Sequence, residues 1–364
     1  MKIPFVDLYA QYLSIKPEID AAMASVIAET AFISGKYARQ FETDFANWLG
    51  VDHVVACGNG TDAIEILLQA CGIGPGDEVI VPAISWISTS ETVSSVGAKP
   101  IFVDINPHYY TIDVEQIEAK LTDRTRGIIP VHLYGQAANM TQIMAMAQAH
   151  GLVVIEDCAQ AHGARWQGQK VGTFGHGATF SFYPGKNLGA YGDAGCMVSN
   201  DATIATQARM IANHGQLEKH NHRIEGRNSR LDGMQGAILS AKLPYLDQWT
   251  LRRQQIAATY DQWLAQKGMA VPQVADGATH VYHLYVVEVP HRDQVMRALK
   301  ENEIGYSVHY PTPLPFLPPY ADRQPHPADY PAAYAAHQRI LSLPIYPEMT
   351  DEMVSHVVET LVNA

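Results

Sequence analysis

The sequence is short of cysteine, of uninterrupted apolar runs and of like-charge blocks, and each shortage removes a class of protein. Its four cysteines, Cys57, Cys71, Cys158 and Cys196, form no CxxC pair and no zinc-like spacing, and all lie inside apolar stretches. They read as reduced core thiols of a cytoplasmic protein, not as a disulfide framework or a metal knuckle. No stretch approaches the roughly 18 to 20 consecutive apolar residues that a membrane-spanning helix needs. The opening MKIPFVDLYAQYLSIKPEID mixes charged with apolar residues and lacks the apolar core and cleavage site of an export signal. Twenty-five Lys and Arg against 37 Asp and Glu leave a formal net charge of -12 with no basic stripe. Neither nucleic acid nor an anionic membrane surface is therefore an expected partner.

What is present is material for a large core. The chain has 364 residues, 47% of them hydrophobic, which is beyond the size at which one core usually divides. From residue 53 onward short β-branched runs alternate with helical stretches: HVVAC, TDAIEILLQACG, EVIVPAI, SETVSSVG, PIFVDI, VEQIEAKLT, RGIIPVHLYG, QIMAMAQAHG, LVVIEDCAQ, then ATFSFYP and CMVSN. That order predicts an α/β fold with a mostly parallel sheet covered on both faces. Two helices, roughly Ile15 to Glu29 and Ala38 to Leu49, precede the sheet. After about Pro244 the texture changes to a long polar helix, a strand HLYVVEV, a helix RDQVMRALKENEIG and the Pro-rich loop HYPTPLPFLPPY. Residues 1–244 are expected to form the large domain and 245–364 a smaller α+β domain.

Three segments carry chemistry. Gly58-Asn59-Gly60-Thr61-Asp62-Ala63 lies between a strand and an amphipathic helix and fits the dinucleotide pattern G-x-G-x-x-A, with Asp77 and Glu78 near the offset of a ribose-binding acid. Glycines before a helix N-terminus expose N–H groups that suit any phosphate, so this motif alone leaves a dinucleotide and a phosphorylated cofactor both open. In LVVIEDCAQAHGA, Asp157 stands at the C-terminal end of a buried strand, where ligands of open α/β sheets bind and where a carboxylate needs a cation. In ATFSFYPGKNLGAYGDAGC, Lys186 follows another strand in a glycine-interrupted loop. A buried acid and a loop lysine on neighbouring strand ends suit pyridoxal 5'-phosphate, whose aldehyde takes a lysine amine and whose ring nitrogen takes a carboxylate. The run of His214, His220 and His222 lacks the carboxylate or cysteine partners of a typical metal site.

These segments sit among many ordered matches: NGTDAIEILL, PGDEVIVP, VGAKPIFVDI, IIPVHLYG, IEDCAQAHGA, FSFYPGKNLGAYGDAG, GRNSRLDGMQGAIL, HLYVV, HYPTPLP and LSLPIYP. Together they strongly resemble the DegT/DnrJ/StrS family of pyridoxal-phosphate-dependent sugar aminotransferases, over essentially the whole chain. The resemblance implies the fold type I, aspartate-aminotransferase-like architecture, with a seven-stranded sheet. It implies Lys186 as the Schiff-base lysine, Asp157 as the partner of the ring nitrogen and Gln160 beside the ring oxygen. Gly60, Thr61 and Ser181 would hold the phosphate, and Asn228 would reach the phosphate of a neighbouring subunit, giving a homodimer with shared active sites. Trp86 falls where the family stacks an aromatic on the ring; core packing is its ordinary alternative. Some members carry histidine at the lysine position and act as dehydratases; the lysine here implies transamination.

The implied donor is L-glutamate, and Arg230 is the candidate for its carboxylate, a dimer-interface ion pair being the alternative. Tyr183, His309 and Tyr310 fall where the family meets a nucleotide-linked keto-sugar. The loop YPGKNLGAYGDAG resembles the branch that aminates C-3, and with VYHLYVV leans toward a dTDP-3-keto-6-deoxyhexose. A UDP-linked 3-keto-uronic acid competes with it. C-4 keto-sugars, cyclitols and a regulator without turnover remain alternatives, and synthesis of cell-surface glycans such as lipopolysaccharide or of glycosylated metabolites is the implied setting.

Overall fold

The computed structural model describes residues 1–364. Three helices come first: α1 (Leu8–Ser14), α2 (Lys16–Ala28) and α3 (Gly35–Leu49). The sheet region then runs β1 (His53–Cys57), α4 (Gly60–Ala70), β2 (Glu78–Pro82), α5 (Ser88–Ser95), β3 (Lys99–Val103), β4 (Thr125–Ile128), α6 (Met140–His150) and β5 (Val153–Asp157). A two-residue ribbon follows, β6 (Arg165–Trp166) with β7 (Gln169–Lys170), then β8 (Gly177–Ser181), β9 (Gly195–Ser199), α7 (Ala202–Ala212) and α8 (Gly233–Lys242). The C-terminal part holds α9 (Leu246–Gln266), β10 (Tyr285–Glu288), α10 (Arg292–Glu301), α11 (Pro331–Arg339), β11 (Ile340–Leu343) and α12 (Asp351–Val362).

Seven strands form one sheet in the order β1-β9-β8-β5-β4-β2-β3. Only β9 runs against the others, pairing antiparallel with both β1 and β8. The expected mostly parallel α/β sheet is therefore what forms. Strands such as β2, buried along its whole length, are continuous apolar runs because helices cover both faces.

Phe45, from α3, meets Phe180 of β8 edge-on at 5.0 Å, and Phe41 meets Phe182 at 5.1 Å. These contacts tie the N-terminal helices under the strand that leads into Lys186, since edge-to-face pairs add to burial alone.

The run Val114 to Thr122, expected as a helix, forms two single 3-10 turns, Val114–Gln116 and Glu118–Lys120. Neither turn holds a buried residue, and only Ile117 between them is buried, so there is no apolar stripe to sustain a longer helix.

Residues of the C-terminal part pack in more than one core. Ile256, Tyr260, Tyr285, Leu341 and Val357 share one around β10 and β11, joined by Ile3 from the N-terminus, and Leu284, Val286, Ala333 and Ile340 pack with Ala83, Tyr110 and Tyr134 in another. Leu314 and Tyr320 instead join the core above β2 and β3. Asp104, just past β3, accepts from the N–H groups of Ala332 and Ala333 at 2.8 and 2.9 Å and so caps α11. That cap joins the end of the large sheet to the C-terminal part.

Candidate active site

Asp157, Ser181 and the Gly58–Gly60 turn, singled out by sequence, lie along one edge of the sheet. Asp157 ends β5, Ser181 ends β8, and the Gly58–Gly60 turn follows β1. Because β9 is reversed, its first residue, Gly195, reaches the same edge. This is the carboxyl edge, where open α/β sheets hold ligands.

The phosphate-sized end is built around α4. Asn59 caps the helix by accepting from the Asp62 N–H at 2.8 Å. The N–H groups of Gly60 and Thr61, the first two of the helix, have no intrahelical acceptor and point off its end. Gly60 is required by close approach: a Cβ there would lie 2.7 Å from the Cβ of Ser181. The Thr61 hydroxyl is 2.7 Å from that of Ser88, which donates to Glu91. Helix end, Thr61 and Ser181 thus form a cradle of donors that fits a phosphate. A Gly60→Ala substitution forces α4 away from β8. It is expected to weaken cofactor affinity about tenfold or more, through an overpacking cost of about 1–3 kcal/mol, which a cofactor titration of the apo-protein would measure.

At the other end lies the charge pair. Asp157 is 6% exposed, and burial pushes its carboxyl above the usual range. The Ala159 N–H, the Lys186 amine and the Thr89 hydroxyl oppose that rise. Oδ1 accepts from Ala159 at 3.1 Å and Oδ2 from Thr89 at 3.1 Å. Lys186, partly buried, is held by its own N–H donating to the Tyr183 carbonyl at 2.8 Å. Burial pulls its amine down to about 8, with Asp157 opposing. An amine tuned this way is a nucleophile and a proton carrier near neutral pH.

Three further residues frame the space between these ends. Gln160 accepts from the Tyr134 N–H at 2.7 Å, which turns its amide so that Nε2 donates to the Tyr310 hydroxyl at 2.9 Å. Tyr310 comes from the C-terminal part, and its ring lies 5.9 Å from that of Trp86. Trp86 is 59% exposed, so it is not a core residue; its indole stands free at the site's rim. Tyr183 is also exposed. His309 is anchored within the chain: its Nδ1 pairs with Ser342 at 2.8 Å, and its ring stacks on Phe5 at 5.9 Å. Burial chiefly, with Lys186 adding, lowers its imidazole to about 4.

Asn228 and Arg230 stand apart from this set. Asn228 is exposed and bridges backbone to Asn213. Between them Ser229 accepts from the Gly58 N–H at 3.1 Å and donates to Asp62 at 2.6 Å, which fixes the strip behind the phosphate turn. Arg230 keeps a buried Nε with no partner within the chain.

Sequence reasoning did not find Ser85, Ser88 and Thr89, nor the role of Glu156. Glu156 accepts from Gly172, Phe174 and Gly175 at 2.8 Å each and pairs with His132 at 3.0 Å. The other nitrogen of His132 accepts from Ala138. The His132–Glu156–Cys158 grouping thus has its imidazole and carboxylate fully engaged as a structural brace. No local signal marked the serine and threonine residues, because the contact of Thr89 with Asp157 joins positions 68 residues apart.

A lysine amine opposite a buried carboxylate, with a donor cradle beyond, fits pyridoxal 5'-phosphate at every point its chemistry demands; these are the features of a pyridoxal-phosphate-dependent aminotransferase. Residues 13–362 match the DegT/DnrJ/EryC1/StrS aminotransferase family, and the chain belongs to it. It is 46% identical to a pleiotropic regulatory protein of Geobacillus stearothermophilus, covering 99% of this chain and 98% of that one. It is 40% identical to the dTDP-3-amino-3,4,6-trideoxy-alpha-D-glucose transaminase of Streptomyces venezuelae, over 99% and 95% of the two chains. It shares the same identity with the UDP-2-acetamido-2-deoxy-3-oxo-D-glucuronate aminotransferase of Pseudomonas aeruginosa, over 99% and 100%. Among solved structures, DesV of S. venezuelae superposes with a TM-score of 0.97 at 40% identity, over 100% and 98% of the chains. NtdA of Bacillus subtilis, solved with bound cofactor PMP, superposes at 0.92 and 32%, over 100% and 85%. No helix of the protein is long and apolar enough to cross a membrane.

Proposed function

We propose that the protein transfers an amino group from L-glutamate to C-3 of a nucleotide-linked keto-sugar, with a dTDP-3-keto-6-deoxyhexose as the leading acceptor. The observation that carries this reading is the Lys186–Asp157 pair beside the α4 cradle, in a chain similar along its whole length to transaminases named for 3-amino sugars. The bound cofactor supplies an aldehyde for the amine and a ring that accepts the electron pair left when a Cα proton departs.

Lys186 would hold that aldehyde through its amine, with loss of water. When the donor's amine replaces it there, the freed Lys186 amine would carry the proton from the donor Cα. Asp157 would keep a proton on the cofactor's ring nitrogen. Gly60, Thr61 and Ser181 would hold the phosphate, Gln160 the ring oxygen, and Trp86 would offer an aromatic face to the ring. Tyr183, His309 and Tyr310 line the acceptor side, and Arg230 is assigned the donor carboxylate, which a planar guanidinium matches in two-pronged fashion.

The active unit is a homodimer in this reading. Phe32, Ile33, Trp86 and Tyr183 are large apolar side chains left 47–60% exposed. Asn228 is solvent-facing within the chain, suited to a partner's phosphate site. Residues 1–244 hold the cofactor and 245–364 form the smaller domain that brings Tyr310 to it.

A second acceptor is favoured by the equal similarity to the P. aeruginosa enzyme: a UDP-linked 3-keto-uronic acid. One titration separates the readings. The cofactor's visible band should bleach with L-glutamate and return with dTDP-linked 3-keto-sugars; return with the UDP-uronate alone would replace the first acceptor by the second, and return with neither would overturn both.

A further inference from the structure

The segment from the end of β2 into the first turn of α5 touches the site at three points. Trp86 stands at its rim, the Ser88 hydroxyl lies 2.7 Å from that of Thr61, and the Thr89 hydroxyl lies 3.1 Å from Asp157 Oδ2. Thr89 has a second partner, Ser85 Oγ, at 2.7 Å. Thr89 is completely buried and Ser85 is 4% exposed, so no water competes for these hydroxyls.

Hydroxyl chemistry gives the pair a direction. A threonine carries one O–H proton, and an ionised carboxylate can only accept. When Asp157 is charged, Thr89 donates to it, and Ser85 must then donate to Thr89. The chain runs Ser85 to Thr89 to Asp157, and each bond polarises the next. A hydrogen bond to the charged form of an acid favours that form.

We propose that Thr89, backed by Ser85, is a positioning residue that holds the Asp157 carboxylate ionised and oriented toward the cofactor's ring nitrogen. This rests on the reading of Asp157 as that nitrogen's partner. Burial alone drives Asp157 toward its neutral form, which could not keep the ring nitrogen protonated. The other groups that act on Asp157 are the Lys186 amine and the His132 ring, whose charge would lower its pKa. The Tyr310 and Cys158 side chains are its remaining titratable neighbours. Once Lys186 has bonded the cofactor its ammonium no longer serves Asp157, and the hydroxyl chain with the Ala159 N–H remains.

The test uses Thr89→Val, which keeps the shape and removes the donor, with Thr89→Ser as the conservative variant. Two readouts are taken on the full-length protein: pyridoxal-phosphate affinity by titration of the apo-protein, and the pH at which the holo-protein loses its cofactor on acidification. Thr89→Val should bind the cofactor about tenfold more weakly, as expected for a lost bond to a charged group, and its acid limb should move to higher pH. Thr89→Ser should restore both. The double variant Ser85→Ala/Thr89→Val, which strands no hydroxyl, should match Thr89→Val, and a recovery there would mean the defect came from an unpaired Ser85. Wild-type affinity and acid limb in Thr89→Val, with Asp157→Asn impaired, would overturn the role of Thr89. No effect in either variant would instead remove Asp157 as the ring partner. If Thr89→Val fails to fold, the Thr89→Ser and Ser85→Ala proteins decide: the proposal requires a smaller shift in Ser85→Ala, in the same direction, and an unshifted acid limb overturns it.

Discussion

A Lys186→Ala protein is expected to lose transamination by about four orders of magnitude or more while keeping its fold. Two functions go together: the amine that bonds the cofactor's aldehyde, and the base that moves the Cα proton, the second alone accounting for about 10²–10⁴-fold. The fold survives because the Lys186 side chain makes no hydrogen bond within the chain and acts on Asp157 only as a nearby charge. Its loop is held by backbone, from the Lys186 N–H to Tyr183 and from the Ala190 N–H to Phe182 at 2.7 Å. Removing an amine whose charge is disfavoured by burial also takes away the cation beside Asp157, two opposed effects that should leave the melting temperature little changed. Steady-state turnover beside a thermal melt checks both halves. Residual activity within a hundredfold of wild type would mean another amine carries the proton.

Asp157→Asn is expected to cost about 10²–10³-fold in kcat, with a smaller effect on substrate KM. The carboxamide keeps the size of the carboxylate but carries no charge to hold the ring nitrogen protonated, so stabilisation is lost where charge develops. Structure adds a geometric penalty. Both oxygens of Asp157 accept in the native site, one from Ala159 and one from Thr89. An asparagine must turn an NH₂ toward one of these donors unless Thr89 reverses its hydroxyl. Turnover, cofactor affinity and the pH profile of the variant are the measurements. Activity near wild type would show that the ring nitrogen is served by another group.

The fold was legible in the sequence wherever burial was two-sided. Runs such as EVIVP and LVVIED admit few structures other than central strands, and their alternation with amphipathic stretches sets the parallel order. It was less legible at Val114 to Lys120, where charge spacing resembles a helix but one buried isoleucine needs only a turn. Lys186, Asp157 and Gly60 could be found because each breaks a local pattern: a charge at the end of an apolar run, or a glycine at a helix start. Thr89 and Ser85 break none. They are small polar residues in a small polar segment, and only the approach of β5, across β4 from β2, turns them into ligands of a buried acid.

Asp157 and Glu156 are consecutive in β5, and period-two geometry sends them to opposite faces. Glu156 is saturated by three backbone N–H groups and His132, and Asp157 is left facing the site. Nothing in their chemistry distinguishes two adjacent carboxylates; the pleat of one strand does. The brace formed by Glu156 therefore acts as a register lock for its neighbour. A slip of β5 by one residue would strand one acid in the core and present the other, at the wrong depth, to the cofactor. Loosening the 172–175 turn, which bonds Glu156 on the other face of β5, should accordingly be felt as a fault in the alignment of the active site before it is felt as a loss of stability.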